Sequence, residues 1–209
     1  MKYQNVIFDL DGVLVSTDEY HYQAWKRIAD EEHIPFDRET NNKLRGISRM
    51  ASLEIILQKA GRTYSQEEKE ALAAKKNTYY RESLKNLQAE DTLPGVRETL
   101  ASLRKQGVKI AVGSSSRNTM TILAQLGMTD AFDAIADGTE ITHSKPDPEV
   151  FLLAAEKIGA APSDCLVVED AKAGIEAGHR GGMKTAGIGE AASVADYPLH
   201  GIGELLQIA

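Results

Sequence analysis

The sequence has a single cysteine, no long apolar run, no grouping of histidine with cysteine and no surplus of positive charge. Cys165 has no second cysteine to pair with, which excludes an internal disulfide, and its apolar neighbours mark it as a small buried hydrophobe rather than a nucleophile. No stretch approaches the roughly 18 apolar residues of a membrane-spanning helix. The first residues lead into a strand without the apolar segment and cleavage site of a secretory signal, so a cytoplasmic location is expected. A formal charge of −7 repels nucleic-acid phosphates, so neither nucleic acid nor membrane is expected as a partner. There is no internal repeat and no low-complexity segment. What is present is an ordinary globular composition, 42% hydrophobic and 26% charged over 209 residues. That length suffices for one sizeable domain or for a core with a smaller insert.

The N-terminal stretch Val6-Ile7-Phe8-Asp9-Leu10-Asp11-Gly12 is an apolar run closing on two acids two residues apart. On an extended strand, i and i+2 point the same way, so Asp9 and Asp11 share a side. Gly12 permits a sharp exit. After a short connection the pattern turns helical: Asp18 to His33 with Tyr20, Ala24, Trp25 and Ile28 on one face, Asp37 to Leu44, and Ser48 to Ala60 with Gly61 as the expected C-cap. A helix to about Leu87 follows the capping-box sequence Ser65-Gln66-Glu67-Glu68. From Pro94-Gly95 onward, helices alternate with strands expected at Val108–Val112, Ala134–Ala136, Cys165–Val168 and Thr185–Ile188. Helices are expected to Gln106, from Arg117 to Leu126, from Pro148 to Ile158 and from Ala171 to Arg180. Alternation of this kind specifies a parallel sheet covered by helices. About 70 helical residues therefore interrupt an α/β core after its first strand. Beyond Glu190 the pattern is weak, and Tyr197-Pro198 reads as an irregular turn.

Parallel strands place their C-terminal ends on one rim. There the sequence has Asp9 and Asp11, then Ser114-Ser115-Ser116-Arg117-Asn118, then Lys145 within Ser144-Lys145-Pro146-Asp147-Pro148, then Glu169-Asp170. Each also fits a plain role: a polar strand end, a serine cap, a solvated lysine, an N-cap at Asp170. Asp147 and Pro148 read as the N-cap and N1 of the next helix. Together they read differently. Hydroxyls and free N–H groups before a helix suit a phosphate. Two carboxylates 4 Å apart repel by about 4 kcal/mol at an effective dielectric near 20, so Asp9, Glu169 and Asp170 can converge only around a cation. An all-oxygen set suits Mg²⁺, which pairs carboxylates with phosphate.

In order and spacing these four groups resemble the motifs of the haloacid dehalogenase superfamily of phosphotransferases, with Asp9-Leu10-Asp11-Gly12 as the first, Ser114 the second, Lys145 the third and Glu169-Asp170 the fourth. The resemblance implies an α/β, Rossmann-like core with a parallel sheet over residues 1–15 and 86–209, and an inserted helical cap over 16–85. It implies that Asp9 becomes an aspartyl phosphate and that Asp11 carries the proton. Mg²⁺, one per chain, would be held by Asp9, the Asp11 carbonyl and Asp170 with Glu169 beside them, and Ser114, Ser115 and Lys145 would hold the transferring phosphate. Within the superfamily, Asp18 to Trp25, Leu44 to Arg49, Lys76-Asn77, Ser116-Arg117-Asn118 and Ala134 to Asp137 resemble the β-phosphoglucomutase branch. That implies a small phosphorylated sugar as substrate, with β-glucose 1-phosphate and glucose 6-phosphate interconverted through glucose 1,6-bisphosphate, which also serves as primer. Arg45, Gly46, Arg49, Lys76, Ser116, Arg117 and Asn118 would contact substrate, His21 would assist Asp11, and Thr17 would join the catalytic group where the cap hinges. A monomer is expected. Arg45 stands where the branch is expected to carry lysine; the forked guanidinium is not interchangeable with an ammonium, which leaves sugar preference open. The alternative on the same machinery is a Mg²⁺-dependent sugar-phosphate phosphatase.

Overall fold

The computed structural model describes residues 2–44 and 47–208. Six strands form one parallel sheet: β1 (Asn5–Phe8), β2 (Lys109–Gly113), β3 (Ala134–Ala136), β4 (Cys165–Glu169), β5 (Lys184–Ile188) and β6 (Tyr197–Leu199), in the order β3-β2-β1-β4-β5-β6. Alternation of side chains explains why the strands are apolar throughout. Val6 and Phe8 pack with Ile110, Val112, Leu166 and Val168 on one face, while Ile7 packs with Ala111, Val167 and Phe151 on the other. Both faces are covered, as parallel sheets require. In register, Phe8 lies between Val112 and Val168. The next residue of each central strand therefore reaches the same rim, which brings Asp9, Gly113 and Glu169 level.

After β1, the described residues of 16–85 form helices and turns: α1 (Asp18–Glu31), α2 (Arg38–Asn42), α3 (Arg49–Leu57) and α4 (Gln66–Leu84). They enclose their own apolar cluster around Trp25, Ile28, Phe36, Leu53, Ile56 and Leu72. α4 starts as its sequence specifies. Ser65 Oγ accepts from the Glu68 N–H at 3.2 Å and Glu68 Oε2 accepts from the Ser65 N–H at 2.7 Å, a reciprocal cap of about 1 kcal/mol. α3 ends earlier than the sequence suggested. Gln58 is its C-cap, and Lys59 and Ala60 close by N–H bonds to Ile56 and Leu57, so Gly61 is not the cap.

The remaining helices are α5 (Val96–Lys105), α6 (Thr119–Gln125), α7 (Glu149–Lys157) and α8 (Lys172–Arg180). Two sequence readings change here. Pro148, not Asp147, occupies the cap position of α7, although Asp147 Oδ1 still accepts the Glu149 N–H at 3.0 Å. Ala171 caps α8 without a side-chain bond, so Asp170 is not an N-cap. The largest correction is β6. Tyr197-Pro198 is not a turn but part of an edge strand pairing Ala186 with Tyr197 and Ile188 with Leu199. Proline is tolerated at an edge because its missing N–H need not face a neighbour. Among the described residues, no helix is long and apolar enough to cross a membrane.

Candidate active site

The site is built where β1, β2 and β4 end. Asp9 follows β1 and is buried. The Lys145 ammonium reaches across to it, 2.5 Å from Asp9 Oδ1 and 2.6 Å from Glu169 Oε1. Glu169 Oε2 accepts the Ala171 N–H at 2.9 Å, so both its oxygens are engaged. Gly174 makes room for this, since a Cβ there would lie 1.9 Å from Glu169 Oε1. Gly12 is needed twice over. Its φ is +81°, and a Cβ would fall 2.0 Å from Asp170 Oδ2.

Asp9, Glu169 and Asp170 place oxygen atoms within 4.8 Å of one another. Burial pushes Glu169 up from an ordinary 4.5 to about 7, with Lys145 pulling back and Asp9 adding to the rise. Burial and the charges of Asp9 and Glu169 push Asp170 from 3.8 to about 8. For Lys145, burial opposes the charge, but Asp9 and Glu169 outweigh it and hold the ammonium well above its usual range. One lysine against three carboxylates leaves a negative surplus, and the clustered oxygens suit a hard divalent cation. A second cluster, His143, Asp147 and Glu149, is spaced as closely. Its carboxylates accept the N–H groups of Thr142, His143 and Glu149 and so serve the start of α7.

A stability prediction follows from the raised carboxylates. Between about pH 4 and 8 the raised Glu169 and Asp170 bind more protons in the folded chain than in the unfolded one, while the lowered His21 and Lys76 bind fewer; the two carboxylates outweigh them, so unfolding free energy should fall as pH rises through that window. Urea unfolding in a chelating buffer is expected to show lower stability at pH 8 than at pH 5.5, with Mg²⁺ restoring most of the difference. A flat or rising profile without metal would contradict it.

The other face of the cavity is cationic. Every described residue that the sequence pointed to lines one cavity of about 690 Å³; Arg45 and Gly46 lie outside the described residues. Arg49, at the start of α3, is lowered by burial and by the charge of Arg117, so two guanidiniums share this end. Asn118 Nδ2 donates to Asn77 Oδ1 at 3.0 Å, tying the loop after β2 to α4. Ser114 Oγ accepts the Ser116 N–H and Ser116 Oγ accepts the Asn118 N–H, both at 3.2 Å. α6 begins only at Thr119, so the serines form a loop of their own rather than the first turn of a helix.

Between the two ends lies Asp11. Burial raises it from 3.8 to about 6, opposed by a hydrogen bond from Thr17 and supported by the charge of Asp9. A carboxyl poised there can hold a proton and give it up near neutrality. His21 lines the same cavity, but its Nδ1 is 2.8 Å from Lys76 Nζ, and it is Thr17 that bonds Asp11. Burial, Lys76 and Arg49 keep His21 well below its usual range, so it is a neutral imidazole. Burial and Arg49 bring Lys76 down from 10.5 to about 7. Several lining residues had no site role in the sequence reading, among them Trp25, Asn41, Ser52 and Tyr80. Tyr80 falls four residues after Lys76, on the same side of α4, a spacing that marks it.

Similarity to known proteins agrees with this geometry. The model of haloacid dehalogenase-like hydrolases matches residues 3–182. The chain is 46% identical over 187 residues to the β-phosphoglucomutase of Bacillus subtilis strain 168, covering 88% of this chain and 83% of that protein. It is 32% identical to a fructose-1-phosphate phosphatase of Escherichia coli strain K12, covering 87% and 94%. A crystal structure of a β-phosphoglucomutase from Clostridium difficile superposes with a TM-score of 0.91 at 38% identity, covering 97% of this chain and 93% of that one.

Proposed function

The chain belongs to the haloacid dehalogenase-like hydrolase family, and from that premise we propose that it is a β-phosphoglucomutase interconverting β-glucose 1-phosphate and glucose 6-phosphate through glucose 1,6-bisphosphate. The observation that carries this reading is the double polarity of one cavity. Asp9 and Lys145 stand at the sheet rim, and Arg49 and Arg117 share the other end. A bisphosphate needs two anion sites; a simple phosphomonoester needs one.

In the reaction, an oxygen of Asp9 forms a bond to phosphorus while the bond from phosphorus to the sugar oxygen breaks, and Asp11 delivers its proton to that oxygen. The covalent intermediate divides one difficult transfer into two easier ones. In the return step Asp11 takes the proton of an incoming sugar hydroxyl, whose oxygen bonds to phosphorus as the bond from phosphorus to Asp9 breaks and the Asp9 carboxylate is restored. Ser114, the Ser115 N–H and Lys145 hold the transferring oxygens. Arg49, Ser116, Arg117 and Asn118 hold the second phosphate, whichever end of the sugar carries it. Asp9, the Asp11 carbonyl and Asp170 would hold Mg²⁺, with Glu169 beside them, and the ion supplies positive charge against that of the transferring phosphoryl group. Residues 16–85 act as a cap over a core of 1–15 and 86–209, with Thr17 at the hinge, and closing it keeps water from the aspartyl phosphate. Lys76 and His21 line the closed site beside Asp11, and Arg45 and Gly46 complete the loop that meets the sugar. One chain supplies every group named, so the proposed chemistry requires no partner subunit and is compatible with the expected monomer.

The direct test is turnover with Mg²⁺ and a bisphosphate primer. Formation of glucose 6-phosphate supports the mutase; release of inorganic phosphate alone supports the phosphatase, which the likeness to a named sugar-phosphate phosphatase keeps as the second reading. Arg49→Ala separates the two further. Losing a charge-assisted contact to the second phosphate, about 1.5–3 kcal/mol, should lower mutase turnover about 10- to 100-fold. Hydrolysis of 4-nitrophenyl phosphate should change less than about threefold, and equal losses would count against a second phosphate site.

A further inference from the structure

Tyr80, on α4, is completely buried. A phenol in that position needs somewhere to place its proton, and the partner here is specific. Tyr80 Oη donates to Thr17 Oγ1 at 3.0 Å, and Thr17 Oγ1 in turn donates to Asp11 Oδ1. The ring is held by His21, 4.1 Å away between centroids, and by the Lys76 ammonium, 4.5 Å from its centre.

A threonine hydroxyl has one proton and two lone pairs. With nothing fixing its rotation, Thr17 could donate to Asp11 or turn and accept from it. With the Tyr80 proton directed at Thr17 Oγ1, Thr17's own proton cannot point back at Tyr80 and goes to its remaining partner, Asp11 Oδ1. That oxygen is satisfied as an acceptor, and the proton Asp11 transfers is carried on Oδ2. The geometry points to Tyr80 as a positioning residue acting through Thr17, one that fixes which oxygen of Asp11 faces the leaving group with a proton. This rests on the phosphoryl-transfer reading above. As the bond from Asp9 to phosphorus forms and the bond to the sugar oxygen breaks, the Oδ2 proton passes to that oxygen. Asp11 is left a carboxylate still bonded by Thr17, and Tyr80 keeps its own proton throughout.

Tyr80→Phe removes only the hydroxyl and keeps the ring against His21. Phosphorylation of Asp9 is followed in single turnovers with Mg²⁺ and two donors. Glucose 1,6-bisphosphate expels a sugar oxygen that needs a proton, whereas acetyl phosphate expels acetate, which does not. The variant is expected to be slowed about tenfold with the sugar donor, a fraction of what a general acid supplies, and less than about twofold with acetyl phosphate. Thr17→Val should show the same donor dependence, and adding Tyr80→Phe to it should cost nothing more, because the two act in series. Thr17→Ser, which keeps the hydroxyl, should retain its sensitivity to Tyr80→Phe. Equal slowing with both donors, no slowing with either, or additive losses in the double variant would overturn the assignment and leave Tyr80 a packing residue. Failure of the mutase reading shows elsewhere, in a parent protein that forms no glucose 6-phosphate.

Discussion

Asp9→Asn is expected to abolish turnover, by about 10⁵-fold or more, the scale on which loss of a nucleophile acts. The carboxamide matches the carboxylate in volume and can still accept a bond from Lys145, which lies 2.5 Å from Oδ1, but it lacks the charge that attacks phosphorus. Stability should move the other way. Asp9 raises both Glu169 and Asp170 through its charge, so removing that charge relieves a repulsion that Lys145 offsets in the metal-free chain. Unfolding measured without divalent cations should find the variant as stable as the parent or more so. Sugar phosphate should still raise its melting temperature, because the cationic end of the cavity is untouched. Intact mass after incubation with the bisphosphate should show no phosphorylated chain. A variant that still turned over, or that lost ligand binding together with turnover, would remove Asp9 from the covalent step. Activity lost while stability is kept or gained is the relation expected of a group whose position serves chemistry rather than folding.

How much of this was legible in the sequence depended on where each signal lay. The rim could be assembled from the chain alone because each acid or hydroxyl follows an apolar strand directly, and strand register then aligns Asp9, Gly113 and Glu169. The start of α4 was legible for a local reason, the capping box at Ser65, whereas its end, expected near Leu87, falls at Leu84. β6 was not, because three residues including Pro198 have no local signal; the strand exists through its pairing with β5. Gly61 misled for the opposite reason, since a glycine near a helix end suggests a cap whether or not the helix reaches it. At the site, the residue types could be listed but not their partners. That Thr17 rather than His21 bonds Asp11, and that His21 turns to Lys76, are facts of side-chain rotation across two segments. The spacing of Tyr80 from Lys76 puts both on one side of α4, and its distance to Thr17 gives it a partner that spacing alone does not show.

Lys145→Met should be the most destabilising single change at the rim, and its size should depend on pH and metal. The side chain is almost wholly buried, bonds Asp9 and Glu169, and places its ammonium 4.5 Å from the centre of the Phe151 ring. Methionine fills similar space without the charge, so packing is largely preserved and the loss isolates electrostatics. Removing one partner of a buried ion pair costs about 3–5 kcal/mol, and here it leaves three carboxylates facing one another. Lys145 holds down both Glu169 and Asp170 in the parent, so both must rise further in the variant. Groups raised on folding contribute stability below their unfolded values and lose it as pH increases through the folded ones. The variant should therefore lie closest to the parent near pH 5, where protons replace the missing ammonium, and fall furthest behind at pH 8 in chelator. Saturating Mg²⁺ at pH 8 should recover much of the difference, because a cation among the same oxygens does for folding what the lysine did. Urea unfolding at the two pH values, with and without metal and at constant ionic strength, separates these contributions. If the deficit were the same in all four conditions, Lys145 would be holding the rim by packing alone, and the charge balance argued for Asp9, Glu169 and Asp170 would be wrong. If the deficit follows pH and metal as stated, the lysine and the cation act alike, each compensating three acids that the chemistry needs close together and that the fold alone would drive apart.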